Sequence, residues 1–126
     1  MIYLDNSATT YPKPPVVRQQ MQKALRELGA NPGRSGYDMS VRTSQAVYRC
    51  RERAARMFGA PGPECVVFQP SCTQALNLAI KGSLQPGDHV VVSDIEHNAV
   101  MRPLKALEGK GVSYTKAATV PGDNDA

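Results

Sequence analysis

Paired Cys-X-X-Cys motifs are absent from the sequence, whose three cysteines are Cys50, Cys65 and Cys72. An odd number of cysteines without paired spacing argues against a disulfide framework and against a zinc site. No window approaches 18 uninterrupted apolar residues, and no apolar signal-peptide core follows the N-terminus. We therefore predict neither a membrane span nor a signal peptide, and the free cysteines suit a reducing cytoplasm.

Two nucleotide-binding signatures are absent as well. Neither Gly-X-Gly-X-X-Gly nor Gly-X-X-X-X-Gly-Lys-[Ser/Thr] occurs, which counts against a nucleotide-binding module. The net charge is +4, but the basic residues are mostly interleaved with acidic ones, and only residues 49–56 are densely basic. Because such a helical face is usually solvated, we predict neither nucleic acid nor a membrane as a partner.

The most informative stretch covers residues 64–82, where a β-forming run, a turn of small polar residues and a helix-period segment follow one another. Residues 66–68 predict a strand, and Ser71 or Thr73 can cap a helix that Gly82 would end in the left-handed conformation. A helix that starts just past a strand's carboxyl end presents unpaired N–H groups and a positive dipole end, which suit a phosphate. An ordinary capped helix without a ligand is the alternative.

Further helices and strands are predicted from periodicity and turn residues. They are a short strand at residues 2–5, a helix that starts among Pro12, Pro14 and Pro15 and is ended by Gly29, a helix from Asp38 or Ser40 to Phe58 that is ended by Gly59, a strand at residues 89–93 buried on both faces, a helix over residues 99–108 that requires Pro103 in its first turn, and a strand at residues 112–115.

This order predicts a doubly wound α/β fold. From residue 64 the elements read βαβαβ, which implies a mainly parallel sheet with helices on both faces. We expect two parts, a loop-and-helix segment at residues 1–60 and the first βαβαβ part of a larger domain at residues 61–126. The 126 residues, 41% of them hydrophobic, provide enough apolar side chains for a core.

Two polar clusters mark the predicted carboxyl ends of the strands, which is where open α/β sheets bind ligands. They are residues 71–73 and residues 96–98, and we predict that they are neighbours. His97 can stack on a planar ring or act as an acid or base, and an exposed histidine without a function is the alternative. The irregular loop at residues 31–37 offers a cation, Arg34, beside a phenol, Tyr37, unless it is only a linker.

Five segments, in this order, resemble the class V aminotransferases, specifically their cysteine-desulfurase-like branch. The segments are Tyr-Leu-Asp-Asn-Ser-Ala-Thr-Thr at 3–10, Asn-Pro-Gly-Arg-Ser-Gly at 31–36, Ser-Cys-Thr-Gln-Ala-Leu-Asn at 71–77, Gly-Asp-His-Val at 87–90 and Glu-His-Asn-Ala-Val at 96–100. The resemblance implies a fold-type I transferase that depends on pyridoxal 5'-phosphate (PLP). It also implies that Cys72 and Thr73 hold the cofactor phosphate and that His97, with a catalytic role, lies over the pyridine ring.

On the substrate side, the resemblance implies contacts from Asn6, Ser7, Ala8, Arg34 and Tyr37. Tyr37 stands where histidine is common in this branch, which affects the details of substrate recognition. Similarly, a glutamine occupies position 74, where glutamate is common. The implied reaction is that of a cysteine desulfurase or class V aminotransferase on a small amino acid through an aldimine, with selenocysteine lysis and epimerisation left open.

The resemblance further implies a longer, homodimeric enzyme, of which this sequence is expected to be the N-terminal part. Later segments of such an enzyme supply the aspartate for the pyridine nitrogen, the Schiff-base lysine and, in desulfurases, a nucleophilic cysteine. The chain alone is expected to be inactive, because its six lysines lie on predicted helix faces, helix ends or turns. A non-catalytic phosphate-binding or interaction fragment with an α/β fold is the alternative.

Overall fold

A computed structural model describes residues 2–34 and 36–119 of the chain. In chain order, its elements are α1 (Pro15–Glu27), α2 (Asp38–Phe58), a single 3₁₀ turn (Pro63–Cys65), α3 (Cys72–Ser83), β1 (His89–Ser93), α4 (Asn98–Glu108) and β2 (Ser113–Ala117). They fall into two compact units that divide between Val67 and Phe68. We call these the N-terminal unit and the C-terminal unit and describe each by itself.

The long helix α2 dominates the N-terminal unit and has the predicted boundaries. Asp38 lies in its first turn, where a carboxylate favours the positive end of the helix dipole. Gly59 ends the helix with φ 66°, a left-handed conformation that glycine adopts without steric cost. The 3₁₀ turn packs against α2. Gly59 therefore fixes the end of this helix, whereas Tyr37, the N-cap at its start, makes no side-chain cap hydrogen bond.

The large apolar side chains of α1 are exposed within the described residues. Met21 is 63% exposed and Leu25 is 83% exposed, and α1 has no buried residue. The helix ends at Glu27 with Leu28 as its C-cap, whose N–H donates to the Ala24 carbonyl at 2.9 Å, so Gly29 is not the residue that ends it. The observed end at Glu27 and the predicted end at Gly29 differ by two positions, which is within the usual fraying of a helix terminus.

A parallel pair of strands forms the framework of the C-terminal unit. The register runs from His89 opposite Ser113 to Ser93 opposite Ala117. Helix α4 connects the two strands and packs against both α3 and β2. The buried apolar side chains of this unit are Val92, Ala99, Pro103, Leu104, Leu107 and Val112. The β1–α4–β2 part of the predicted sheet is confirmed, with β2 displaced by one residue at its start.

Two predicted strands are absent from the described structure. Val66 has extended dihedral angles, φ −105° and ψ 117°, but residues 66–69 have no regular secondary structure, and neither do residues 2–5. In the described sheet, only β1 and β2 pair with each other. An extended segment becomes a strand only when a neighbour satisfies its N–H and C=O groups. The predicted βαβαβ order is therefore reduced to α3 followed by β1–α4–β2.

Two further predictions about the C-terminal unit are wrong. The strand β1 is covered on one face, since Val92 is 8% exposed and Val91 is 68% exposed. In addition, Gly82 lies inside α3 and is not among the described glycines with positive φ. The helix continues to Ser83, and the N–H of Leu84 then donates to the Ile80 carbonyl at 3.3 Å.

Pro103 lies inside α4, beyond the first turn to which the prediction confined it. A proline there removes one helical hydrogen bond and crowds the carbonyl four residues earlier, typically at a cost of about 3 kcal/mol. Its side chain is among the most completely buried in the described residues, together with that of Leu104. Apolar burial of the ring offsets part of this cost.

Candidate functional site

The amino end of α3 has the capping geometry that an anion-binding helix needs. Ser71 is the N-cap, with extended φ −155° and ψ 157°, and its Oγ accepts the Gln74 N–H at 3.2 Å. The Ser71 carbonyl accepts the Ala75 N–H at 3.0 Å. In the described part of the chain, no acceptor is recorded for the N–H groups of Cys72 and Thr73, and both residues are exposed. Two donors at the positive end of the helix dipole therefore remain available.

His97 is the N-cap of α4, a role that the sequence pattern did not reveal. Its Nδ1 accepts the Ala99 N–H at 3.0 Å. Because this bond uses the Nδ1 lone pair, the neutral ring carries its hydrogen on Nε2. The side chain is otherwise exposed. The cap thus fixes the orientation of the imidazole while the residue remains exposed.

The loop that carries His97 is fastened at the carboxyl end of the sheet. The Asp94 N–H donates to the Ala117 carbonyl at 3.0 Å. The Asp94 carboxylate accepts from both the Thr119 N–H, at 3.2 Å, and the Thr119 hydroxyl. The Ser93 hydroxyl donates to Glu96 Oε1 at 2.9 Å. These bonds join the ends of both strands to the loop between β1 and α4.

The Thr119 hydroxyl, by donating a hydrogen bond, holds the pKa of Asp94 below its ordinary value of 3.8. The Thr119 backbone N–H and the positive charge of Lys116 lower the pKa of this carboxyl further. Desolvation raises the pKa of this carboxyl, second in size only to the effect of the Thr119 hydroxyl, and is outweighed by the lowering effects together.

We expect the Thr119 amide proton, followed by NMR, to titrate with a midpoint below pH 3.8, the ordinary value for Asp94. A depressed folded-state pKa means that the carboxylate's stabilising contribution is present above the unfolded-state value and is lost as the pH falls through the folded-state value. In Thr119→Val, which lacks the donating hydroxyl, the Asp94 carboxyl should titrate at a higher pH. A wild-type midpoint at or above 3.8 would contradict the hydrogen bond.

Three of the predicted substrate-side residues lie in a turn near the start of the N-terminal unit. Asn6 Oδ1 accepts the Tyr11 N–H at 3.1 Å, so the amide oxygen shapes the turn. Ser7 is exposed, and the Ala8 N–H donates to the Asp5 carbonyl at 3.2 Å. The backbone of this turn is therefore ordered by its own hydrogen bonds.

Arg34 and Tyr37 lie in the loop that leads into α2. The Gly33 N–H donates to Ser44 Oγ at 3.1 Å, and the buried Ser40 hydroxyl donates to the Asn31 carbonyl at 3.0 Å. These bonds hold the loop on α2. Arg34 is exposed, and Tyr37, the N-cap of α2, is 49% exposed.

The predicted site residues divide between the two units. Cys72, Thr73 and His97 belong to the C-terminal unit, in which α3 packs against α4. The substrate-side residues belong to the N-terminal unit. Among the hydrogen bonds of the described residues, none joins His97 to Cys72 or Thr73. The proximity of these two clusters thus stays a prediction.

His89 is exposed and links the two strands. Its Nδ1 lies 2.8 Å from Ser113 Oγ, and its Nε2 lies 3.0 Å from Thr115 Oγ1. Both hydroxyls project from β2, which pairs in parallel with β1. This histidine is at the amino end of β1, away from the loop that carries His97, and it therefore reinforces the strand register.

Neither a metal site nor a membrane span is found in the part of the chain that the structure describes. In residues 2–34 and 36–119, no three His, Cys, Asp or Glu side chains are grouped so that they could hold a metal ion. None of the described helices combines the length and hydrophobicity that crossing a bilayer requires.

A parallel α/β unit with polar groups after its strands defines a class of ligand-binding fold rather than one protein. The sequence profile of the Aminotransferase class-V family matches residues 2–121. The chain belongs to this family, and the resemblance inferred from the five motifs is confirmed.

Known relatives agree on the branch of the family. The chain is 35% identical to cysteine desulfurase IscS of Clostridium botulinum over 118 residues, covering 90% of this chain and 29% of that protein. It matches the apo structure of cysteine desulfurase from Thermococcus onnurineus NA1 with a TM-score of 0.82 and 25% identity, over 98% of this chain and 32% of that one. The chain spans less than a third of each of these proteins.

A more distant structure supports the fold alone. C-DES with glycine covalently linked to its PLP cofactor aligns with a TM-score of 0.69 and 18% identity, over 90% of this chain and 29% of that one. Together, these structures confirm the predicted fold class, that of the fold-type I PLP-dependent transferases.

Proposed function

We propose that this chain contributes the phosphate-binding and ring-stacking groups of a PLP-dependent cysteine desulfurase that acts on a small amino acid. The family membership and the cysteine desulfurase relatives support this assignment. The PLP carried by C-DES, which shares the fold, supports the choice of cofactor.

The amino end of α3 is the observation that carries the proposal. A phosphate needs several donors in a region of positive potential, and helix amino ends provide both. The N–H groups of Cys72 and Thr73 lack recorded acceptors in the described residues, and the exposed Thr73 hydroxyl adds another donor. The residues present therefore fit the phosphate of PLP.

His97 provides the second element of the site. Its ring is held by the bond from the Ala99 N–H, and the residue is exposed in the loop that follows the carboxyl end of β1. A fixed imidazole of this kind can stack on the pyridine ring and restrict its orientation. PLP, when bound, supplies an electron sink that stabilises negative charge at the substrate's α-carbon.

Lys13 and Lys81 are poor candidates for covalent attachment of the cofactor. Lys13 donates to Thr9 Oγ1 at 3.1 Å and to the Thr10 carbonyl at 2.7 Å. Lys81 lies in the last turn of α3, far along the helix from Cys72. We therefore propose that this chain alone does not catalyse the reaction and that the substrate-side role of Asn6, Ser7, Ala8, Arg34 and Tyr37 requires the whole enzyme.

The proposed phosphate site is tested by measuring PLP affinity in Thr73→Val and Thr73→Ser. Thr73→Val is nearly isosteric but lacks the hydroxyl, and loss of one hydrogen bond to a charged group should raise the Kd for PLP roughly 10-fold to 100-fold. Thr73→Ser should bind nearly as tightly as the wild type. Pyridoxal, which has no phosphate, should bind all three proteins equally. Equal PLP affinities for all three proteins would contradict the proposal.

We also propose that the whole enzyme is a cytoplasmic homodimer. Exposed apolar side chains on α1 and the one-sided cover of β1 leave surfaces suited to burial in an assembly. Sedimentation of this chain should show self-association at high concentration. A monomer at every concentration measured would remove this support for a dimer.

A further inference from the structure

Two hydrogen bonds from Thr119 to Asp94 join the loop that carries His97 to the end of the neighbouring strand. Asp94 begins the loop that ends at His97, and Thr119 follows the carboxyl end of the neighbouring strand. One carboxylate oxygen of Asp94 accepts both the N–H and the hydroxyl of Thr119. The side chain of Asp94 thus spans the ends of two parallel strands.

We propose that Asp94, clamped by Thr119, is a positioning residue that fixes the loop and thereby the imidazole of His97. Only three residue steps separate Asp94 from His97, so a displacement at the start of this loop reaches the cap directly. The bond between Ser93 and Glu96, 2.9 Å long, shortens the free part of the loop further. The role for the His97 ring rests on the proposed function, whereas the clamp and its effect on the loop do not.

The proposed effect passes through the α4 cap. The Ala99 N–H can donate to His97 Nδ1 only while the loop holds the ring at the helix end, where the two atoms are 3.0 Å apart. When the clamp is lost, Asp94 still keeps its backbone bond to the Ala117 carbonyl. We therefore expect a local loosening of the loop rather than loss of the β1–β2 pair.

Amide hydrogen exchange on the ¹⁵N-labelled chain measures this loosening. Thr119→Val removes the hydroxyl and keeps the branched shape, and it should accelerate exchange at Ala99 roughly 3-fold to 10-fold, the effect of one lost hydrogen bond. Thr119→Ser restores the donor and should return exchange to the wild-type rate. The Gly87 N–H, bonded to the Gly111 carbonyl at 2.8 Å at the other end of the sheet, is the internal control and should not change.

The ¹⁵N signals of the His97 ring give a readout that general stability does not move. In its neutral form, the wild-type ring should show an unprotonated Nδ1 and a protonated Nε2, whereas Thr119→Val should show mixed tautomers. Unchanged exchange at Ala99 and an unchanged ring signature in Thr119→Val would overturn the proposal, as would failure of Thr119→Ser to restore them.

If Thr119→Val also exposes the Gly87 amide, Asp94→Ala decides the question, because it removes the oxygen that accepts both Thr119 bonds. Faster exchange at Ala99 with an unchanged Gly87 supports the clamp, and an unchanged Ala99 overturns it. Absence of PLP binding, with the loop effect present, would refute the proposed function and leave the clamp intact.

Discussion

Replacing Leu104 with alanine is expected to lower the free energy of unfolding by about 2 to 5 kcal/mol. Leu104 is 1% exposed, and it lies in α4 three positions before Leu107, which is buried as well. Its removal takes away apolar burial and leaves a void that neighbouring side chains fill only in part. Because few residues of the C-terminal unit are buried, Leu104 contributes a large part of the stability of this unit.

Urea denaturation of the wild type and of two leucine variants measures this effect. Leu78→Ala is the matched control, since Leu78 lies on α3 in the same unit and is 55% exposed. A surface replacement of this kind should change the free energy of unfolding by no more than about 0.5 kcal/mol. Equal effects of the two variants would show that α4 is not packed on the sheet as described.

Replacing His97 with alanine is expected to weaken PLP binding and to destabilise the start of α4. Loss of a stacked ring should raise the Kd for PLP about 2-fold to 10-fold. Loss of the N-cap acceptor should cost about 0.5 to 2 kcal/mol of stability. The two effects have different causes, because the ring face would contact the cofactor whereas Nδ1 accepts the Ala99 N–H.

Two companion variants separate stacking from capping. His97→Asn keeps a good capping acceptor without an aromatic ring, so it should restore stability and leave PLP binding weak. His97→Phe keeps a ring without an acceptor, so it should do the reverse. Wild-type PLP affinity in both His97→Ala and His97→Asn would remove the stacking role.

The ends of α2 and the start of α3 could be predicted because they depend on nearby residues. Gly59 takes the left-handed conformation at the end of α2, and Ser71 caps α3 through an acceptor three residues from its donor. The family motifs added the roles proposed for Cys72 and Thr73, since these lie within one short segment.

Features that depend on distant residues could not be predicted. Residues 66–68 have strand-forming side chains, yet strand formation requires a neighbouring strand that the local sequence does not specify. The clamp between Asp94 and Thr119 spans 25 positions and follows from the parallel register. The only signal available was a carboxylate and a hydroxyl placed shortly after consecutive predicted strands.

Pro103 shows a different reason for an incorrect prediction. Pro103 was expected in the first turn of the helix because a proline further along loses a hydrogen bond and clashes with the preceding turn. Burial of the Pro103 ring stabilises the fold and so offsets part of the cost of a proline inside α4. This burial depends on tertiary packing, which the local sequence does not specify.

Mapping backbone amide shifts as PLP is titrated into the ¹⁵N-labelled chain tests the proposed cofactor site most directly. Binding at this site predicts shifts at Cys72, Thr73 and Gln74 with PLP and also with inorganic phosphate. Pyridoxal should instead affect the residues around His97 and leave the start of α3 unchanged. Saturation with PLP without any shift at Cys72 or Thr73, or with shifts confined to the N-terminal unit, would contradict the assignment.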